Sequence, residues 1–587
     1  LPVPEYLAPG VFVEEVSFRS KSIEGVSTST TGFVGPTRRG PVPNADSKPL
    51  PELLTSFLDF QRVYGGMADL NYAGATADSP DKRLNYLAHA VRAYFENGGA
   101  RLYVARVQSG GAKAAADVVS GANGAVFRAR FEGEAGNGTI EMVLKKQRVS
   151  VAALNKSPTG TVAQAGTKVY TRNDAGKFAT VAAGGGGGGA AEVIADDAAN
   201  VDIVTVNAVT TDGDGQTKQY EDMGLDPAHP RFIGNVMAMK PTRRSDELEQ
   251  MYALDIDPKV TARDLLDKFK EVDSKPKVFT LEGGKDGTAP SVEAYKQGLK
   301  ALAAIEDISI VAAPAAAYTR ASNANDVTAY RGVTDALIGH CEARRAYRIA
   351  VLDTRQISTP DSAKEDRAPL DSKYAALYTP WIITPNPLFR PGDASQPAEI
   401  AVPPSGSICG IYARNDINRG VFKAPANEVV RGALRHDLEI NFAQQEVLNP
   451  IGINCLRFFP NRGNRVWGAR TISSDPEWKY VNIRRYFNYL ERSIDVSTQW
   501  AVFEPNGERL WSNIRDTVSD FLVNEWRSGA LLGTSTKEAF FVRCDRSTMD
   551  QNDLDNGRLV CLIGVAVVKP AEFVIFRVGQ KTADART

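Results

Sequence analysis

The side chains able to do chemistry are few and scattered. Four histidines stand at His89, His229, His340 and His436, and five cysteines at Cys341, Cys409, Cys455, Cys544 and Cys561. The densest grouping is His340, Cys341 and Glu342, near the end of an apolar-faced helical segment, with Asp353 just past the strand-like run that follows. A thiol, an imidazole and a carboxylate are the parts of a nucleophilic hydrolase, and open parallel sheets place ligands beyond the C-terminal ends of their strands. His340, Cys341 and Asp353 are therefore the candidate set for an α/β hydrolase with a β accessory domain. Glu282 and Asp286 hold the equivalent place after an earlier strand. The simpler reading is structural. Cys341 falls on the apolar face of its helix, where a thiol packs as a small hydrophobe. No Gly-x-Ser-x-Gly elbow, no Gly-x-Gly-x-x-Gly leading from a strand into a helix and no His-Glu-x-x-His occurs, and a fold alone assigns no chemistry. This reading names no catalytic residue, no cofactor and no metal, and expects a protein that is not an enzyme.

Other motif-like stretches fall short of their chemistry. Residues 281–287, Leu-Glu-Gly-Gly-Lys-Asp-Gly, follow the lysine with Asp where a phosphate loop needs Ser or Thr, so they read as a strand-ending turn. The six glycines at 184–189 lack that lysine altogether and read as a flexible loop. Residues 550–557 resemble a calcium loop, but Leu554 occupies a ligand position and the bidentate Glu is missing. The cysteines form no Cys-x-x-Cys and the histidines are far apart, which argues against zinc. An odd, sparse set of cysteines reads as buried free thiols in a reducing compartment. Arginines in 457–470 and 484–492 interleave with Phe458, Phe459, Trp467, Trp478 and Tyr486, a pattern that can bind single-stranded nucleic acid. Glu446, Asp475, Glu477 and Glu491 sit among them, and the whole chain balances 69 basic against 70 acidic residues. Such neutrality gives no bulk pull toward nucleic acid. Ion pairs within or between subunits are the expected use.

The elements that would carry these residues imply several domains. A chain of 587 residues, 43% hydrophobic, is long enough for two to four. Pro4 and Pro9 keep the start extended, and residues 11–16 form a short β-prone strand. A helix is predicted over 80–97, capped by Ser79 and ended by Asn97, Gly98 and Gly99, with a strand at 101–107. From Gly110 to about Asn235 the chain turns rich in Gly, Ala, Thr and Val, with strand-like pieces at 126–131, 139–149, 168–171 and 201–209. Strands at 278–281, 308–313, 347–352 and 377–384 then alternate with helices at 291–305 and 326–345, which implies an α/β layer on a largely parallel sheet. Helices at 481–493 and 513–528 precede strands at 559–568 and 572–578. The first of these strands is apolar on both faces and expects burial from both sides. The layout is an α+β multidomain chain with extended terminal arms. An N-terminal arm and linker (1–31) precede an α/β core domain (32–110 and 236–395). A mostly-β domain (111–235) is inserted into that core, and an α+β C-terminal domain (396–587) follows. No apolar run reaches the ~20 residues of a membrane span, and no secretory signal is expected. The chain opens at Leu1, so a few residues are expected to precede it.

The two terminal strands have no hairpin partner in the sequence. They pair either within their own subunit or with a neighbour's sheet. Several ordered blocks decide how to read them. Residues 475–485 (Asp-Pro-Glu-Trp-Lys-Tyr-Val-Asn-Ile-Arg-Arg), 420–427, 465–473 and 498–506 (Thr-Gln-Trp-Ala-Val-Phe-Glu-Pro-Asn) together resemble the tail sheath proteins of contractile bacteriophages and phage-tail-like injection systems. Residues 9–16, 94–107, 281–287, 372–382 and 402–416 are similar to further shared blocks, whereas about 111–235 match nothing in the common core and resemble the insertions such sheaths carry outside. The resemblance implies self-assembly into stacked six-subunit rings around an inner tail tube, with baseplate and tail terminator proteins as further partners. It implies a place in the virion tail or injection particle, assembled in the bacterial cytoplasm. It involves neither direct nucleic-acid contact nor membrane insertion. It also implies that strands are donated to neighbours by Val11, Phe12, Val13, Glu14, Glu15 and Val16 and by Glu572, Phe573, Val574, Ile575, Phe576, Arg577 and Val578, with residues 17–31 as hinges. A static shell protein that polymerises without shortening is the other structural alternative.

Overall fold

The structure is a computed structural model that describes residues 23–73, 84–121, 124–181, 194, 201–273, 275–317, 324–356, 359–392 and 396–577. The chain divides into a larger unit, residues 28–485, and a smaller one made of residues 1–27 and 486–587. The predicted strand at 11–16, the glycine run and Val578 lie outside the described residues.

The larger unit is built on an eight-stranded sheet. In spatial order its strands are Leu53–Leu54, Leu102–Arg106, Thr31–Gly35, Ile310–Ala312, Ile349–Asp353, Ala375–Thr379, Ile453–Phe459 and Gly463–Val466. The six inner strands run parallel and each edge strand is antiparallel. Alternate side chains fill two cores. Phe33, Val104, Ile310 and Val351 face the helices Tyr86–Glu96 and Ser405–Arg419. Val34, Ala105, Val311 and Leu352 face Val292–Ala303 and Ala324–Glu342. Burial on both faces is why these strands read as unbroken apolar runs. The helices of the first face touch at Gly406 and Gly410, where a Cβ would meet Ala90 Cα at 2.7 Å and the Tyr94 carbonyl at 2.4 Å.

A second, antiparallel body is spliced into this sheet. Gly138–Val149 and Val201–Thr211 form its long central pair, flanked by Val162–Ala165, Lys168–Arg172, Phe178–Thr180 and Thr217–Met223. Its core draws on residues from Ala114 to Leu281. This corrects one expectation. Strand Lys277–Leu281 does not open the parallel sheet but pairs antiparallel with Gly138–Val149. A short apolar run carries no record of its partner's direction.

A buried charge cluster joins the two bodies of the larger unit. Arg38 Nη2 lies 2.8 Å from Asp214 Oδ1 and Arg39 Nη1 2.8 Å from Asp212 Oδ2, gripping the turn between Val201–Thr211 and Thr217–Met223. Arg38 also reaches Asp286 at 3.4 Å.

Other expectations shift in detail. Of the helix predicted over 80–97, the described part runs Tyr86–Glu96, and the Asn85 side chain at its start accepts from Ala88 N–H. Ser79 and residues 80–83 lie outside the described residues. The run 377–384 is split: Ala375–Thr379 belongs to the main sheet, and Ile382–Pro385 pairs with Glu399–Val402 and Arg435–His436 in a small separate sheet.

The smaller unit packs the helix Glu508–Arg527 through Trp511, Ile514, Val518, Phe521 and Leu522. Tyr486 and Tyr489 donate to the Glu525 carboxylate at 3.0 and 2.9 Å. Burial raises the Glu525 pKa against the lowering effect of those two bonds. Val26 N–H donates to Ser493 Oγ at 3.2 Å, and Gly25 lies so close to Tyr489 that a Cβ would meet its hydroxyl at 2.3 Å. The chain ahead of the larger unit is thereby held to residues near the other end of the sequence. Strand Leu562–Val565 pairs with Phe540–Arg543 and with no other strand among the described residues. The expectation of burial from both sides is therefore corrected for the lone chain: Leu562 stays 50% exposed and Phe541 45%.

Candidate functional site

The residues proposed for hydrolysis do other work and stand apart. His340 Nε2 accepts from Arg348 Nη1 at 2.7 Å, and burial together with that cation lowers its pKa to about 4. Cys341 is in the core, its thiol pushed up by burial. Glu342 accepts from Ser372 Oγ at 2.6 Å. Asp353 lies at the far end of strand Ile349–Asp353 from Arg348, ~16 Å along at about 3.3 Å per residue. Its oxygens accept from Ser405 N–H at 2.6 Å and Ser405 Oγ at 2.5 Å, anchoring the start of helix Ser405–Arg419. Burial raises the Asp353 pKa to about 7, outweighing both bonds. Asp286 accepts from the backbone of Glu134 and Asn71, each at 2.8 Å, and from Arg38. Residues 281–287 are a turn: Glu282 and Lys285 bridge to Ala115 and Ala112. Asp550 caps the short helix Gln551–Asp555. Among the described residues no cluster of His, Cys, Asp and Glu has metal-holding geometry, and no helix is long and apolar enough to cross a membrane.

Three of the motif blocks, 420–427, 465–473 and 475–485, fold onto one another inside the larger unit, and the fourth, 498–506, lies in the smaller one. The Arg484 guanidinium, 1% exposed, sits 4.4 Å from the Trp478 ring and 4.8 Å from Tyr374, and Lys373 covers Trp478 at 4.5 Å. Asn482 Nδ2 donates to the Phe422 carbonyl at 2.8 Å, tying 475–485 to 420–427. Asn427 N–H donates to the Val466 carbonyl at 2.7 Å, tying in 465–473. Arg485 forks onto Asp416, with Nη1–Oδ1 at 2.9 Å and Nη2–Oδ2 at 2.6 Å, and its plane lies 4.6 Å from Tyr412. The same guanidinium donates to the Thr28 carbonyl at 3.0 Å, while Thr28 Oγ1 donates to Asp416 at 2.6 Å. Thr28 and Arg485 are the first and last residues of the larger unit. The arginine–aromatic pattern thus serves internal packing: Arg462 lies 5.7 Å from Phe459 and 5.5 Å from Trp467, and those two rings are 4.4 Å apart.

Apolar side chains are left uncovered in both units, Phe442 and Ile417 in the larger among them, but the most exposed ones described lie in the smaller unit. Phe573, Val574, Ile575 and Phe576 are 71%, 68%, 78% and 84% exposed and belong to no strand among the described residues. The predicted strand at 572–578 is accordingly without regular structure over its described part, residues 572–577. Phe503, in the block 498–506, is fully exposed at φ 68°. An aromatic side chain seldom adopts that left-handed backbone.

A scaffold whose buried arginines are paired internally, with an uncovered apolar run at Phe573–Phe576, has the construction of an assembly subunit. The profile of the phage tail sheath protein central domain matches residues 288–472, and that of the phage tail sheath C-terminal domain matches residues 473–581. The chain belongs to the phage tail sheath family. A putative prophage major tail sheath protein of Pseudomonas aeruginosa (strain UCBPP-PA14) is 25% identical over 257 residues, 43% of this chain and 62% of that protein. The tail sheath protein of Vibrio phage KVP40 is 26% identical over 188 residues, 31% of this chain and 27% of its own length. The aligned stretches thus span less than two thirds of these relatives. Among solved structures, the sheath of the anti-feeding prophage, described as a helical sheath in contracted state, superposes with a TM-score of 0.52 at 20% identity, covering 98% of this chain and all of that one. The PVC sheath complex of an extracellular contractile injection system, also in contracted state, gives 0.51 at 19% identity over 99% of each chain. These two share the overall fold.

Two features lay beyond sequence reasoning. The Arg38–Asp214 and Arg39–Asp212 pairs join residues more than 170 positions apart. Cys544 and Cys561, read as isolated thiols, stand against each other. For the cysteines a usable signal was present, since both flank runs with strand character.

Proposed function

We propose that this chain is the subunit of a contractile sheath: it polymerises as stacked hexameric rings around an inner tube and shortens to drive that tube through a target cell envelope. The observation that carries the reading is the uncovered apolar segment Phe573–Phe576, together with strand Leu562–Val565, which has a single partner strand among the described residues. A two-stranded sheet is marginal alone, and its open edges accept further strands. Residues 11–16 and 572–578 of neighbouring copies are the strands that would complete it. Each donated strand contributes several backbone hydrogen bonds of ~0.5–1.5 kcal/mol net and buried apolar side chains of ~1.5–3 kcal/mol each. Many such links hold a lattice together while rigid subunits turn. The energy of shortening would come from better packing in the short state, the long state being kinetically trapped. Tube, baseplate and terminator proteins are the further partners this role requires.

Deleting residues 1–16 tests the linkage. Monomers should keep wild-type circular dichroism and melting behaviour yet build no long sheaths by electron microscopy. Ordinary striated tubes from the truncated protein would contradict strand donation. A single tube length and diameter under all conditions would favour the static shell.

A further inference from the structure

Cys544 and Cys561 immediately flank the only strand pair described in the smaller unit. The register pairs Arg543 with Leu562, and one step further places Cys544 opposite Cys561. The two thiols are within hydrogen-bonding reach of each other, Cys544 buried and Cys561 half-buried. Opposed residues of antiparallel strands hold their Cβ atoms ~4.5–5.5 Å apart, and a disulfide needs ~3.5–4.5 Å. Both cysteines lie just past the paired residues, so an ångström-scale closure at the end of the pair suffices.

We propose that Cys544 and Cys561 are a modification site: under an oxidising poise they form a disulfide that staples strands Phe540–Arg543 and Leu562–Val565. The oxidant is a low-molecular-weight disulfide. The Cys561 thiolate, the more accessible of the two, attacks one oxidant sulfur, breaking that S–S bond and expelling one thiolate. The Cys544 thiolate then attacks the Cys561 sulfur of the mixed disulfide and expels the second. One S–S bond breaks and one forms. The two cysteine sulfurs are oxidised, the two oxidant sulfurs are reduced, and the two cysteine protons end on the released thiols. Burial pushes the Cys561 thiol up to about 12 and raises that of Cys544, so little thiolate exists at neutral pH and the exchange is slow. This is a lasting staple and not a rapid sensor. It suits a particle that is built among reduced thiols and then released outside the cell, where disulfides persist. Its bearing on assembly rests on the function proposed above, because the stapled sheet is the one that would accept neighbours' strands. The bond itself is read separately.

The test uses the full-length protein equilibrated with oxidised glutathione at mildly alkaline pH. Free thiols are then alkylated under denaturing conditions and the digest mapped by mass spectrometry. The expected result is a linked Cys544–Cys561 peptide, loss of two of the five titratable thiols, and slower proteolysis within residues 545–560, all reversed by dithiothreitol. Cys561→Ser should lose no thiol pair and show no redox effect on proteolysis. Five free thiols after equilibration, or glutathione retained on Cys561 without the linked peptide, would overturn the proposal. The wild-type comparison stands even if a serine variant folds poorly. An effect on sheath formation without the linked peptide would bear on the assembly reading and would not rescue the bond.

Discussion

The two units handle awkward side chains in opposite ways. In the larger one, charge is buried and matched: Arg38, Arg39, Arg484 and Arg485 are nearly inaccessible, and each meets a carboxylate, a carbonyl or an aromatic face. In the smaller one, apolar surface is left in water: Phe503, Phe541, Leu562 and the run Phe573–Phe576 stand out. Burying an ion pair seldom adds net stability but severely penalises any arrangement that separates the partners. Exposed apolar runs gain only when something covers them. The larger unit therefore satisfies its buried guanidiniums from its own chain, whereas the smaller one leaves apolar surface that the proposed function assigns to neighbouring copies.

The greatest effect should come from removing the apolar run that stands uncovered. Deleting residues 572–587 should abolish sheath formation outright while leaving the unfolding of the monomer unchanged, read by electron microscopy and chemical denaturation. If the monomer instead loses its fold, the segment serves its own subunit and the contrast collapses. Next comes the buried charge. Arg485→Ala strands Asp416 without its partner and should cost about 3–5 kcal/mol of stability. Replacing both residues by apolar ones of similar volume should recover most of it.

A smaller effect is expected from pH. Burial holds the Asp353 pKa at about 7, against 3.8 in its unperturbed state. The native state thus binds the proton more tightly than the unfolded one. This contribution is complete below about pH 4 and is lost as pH rises through about 7, a fall of ~1–4 kcal/mol at most. Asp353→Asn keeps an acceptor for Ser405 N–H and should flatten that slope. Equal slopes in both proteins would mean that Asp353 is ionised throughout. The smallest stability change belongs to Phe503→Ser, within about 0.5 kcal/mol, yet sheath yield should fall. Unchanged yield would make Phe503 an ordinary surface residue.

How far the sequence spoke depended on how local the cause was. The alternation of Leu102–Arg106, Ile310–Ala312 and Ile349–Asp353 with helices was legible because burial on both faces leaves apolar runs, whereas strand Thr31–Gly35, short and glycine-bounded, was read as part of the linker and loop. The stretch Lys277–Leu281 was misread because its partner, Gly138–Val149, lies far away in the chain and the run itself does not encode direction. The cap that Asn85 gives the helix start at Tyr86 was not read, because no proline marks that position. Of the candidate site, the apolar character of residues 573–576 could be seen from composition. That they stand uncovered could not, since exposure depends on the rest of the fold. The pairing of Arg485 with Asp416 and Thr28 joins three distant stretches, and no periodicity reports it.

That last contact has an engineering consequence. The larger unit begins at Thr28 and ends at Arg485, and a single carboxylate holds both residues. A piece whose two ends meet can be swapped for another without re-spacing the chain on either side. Chimeras exchanged at these two positions should keep one lattice while changing what it displays.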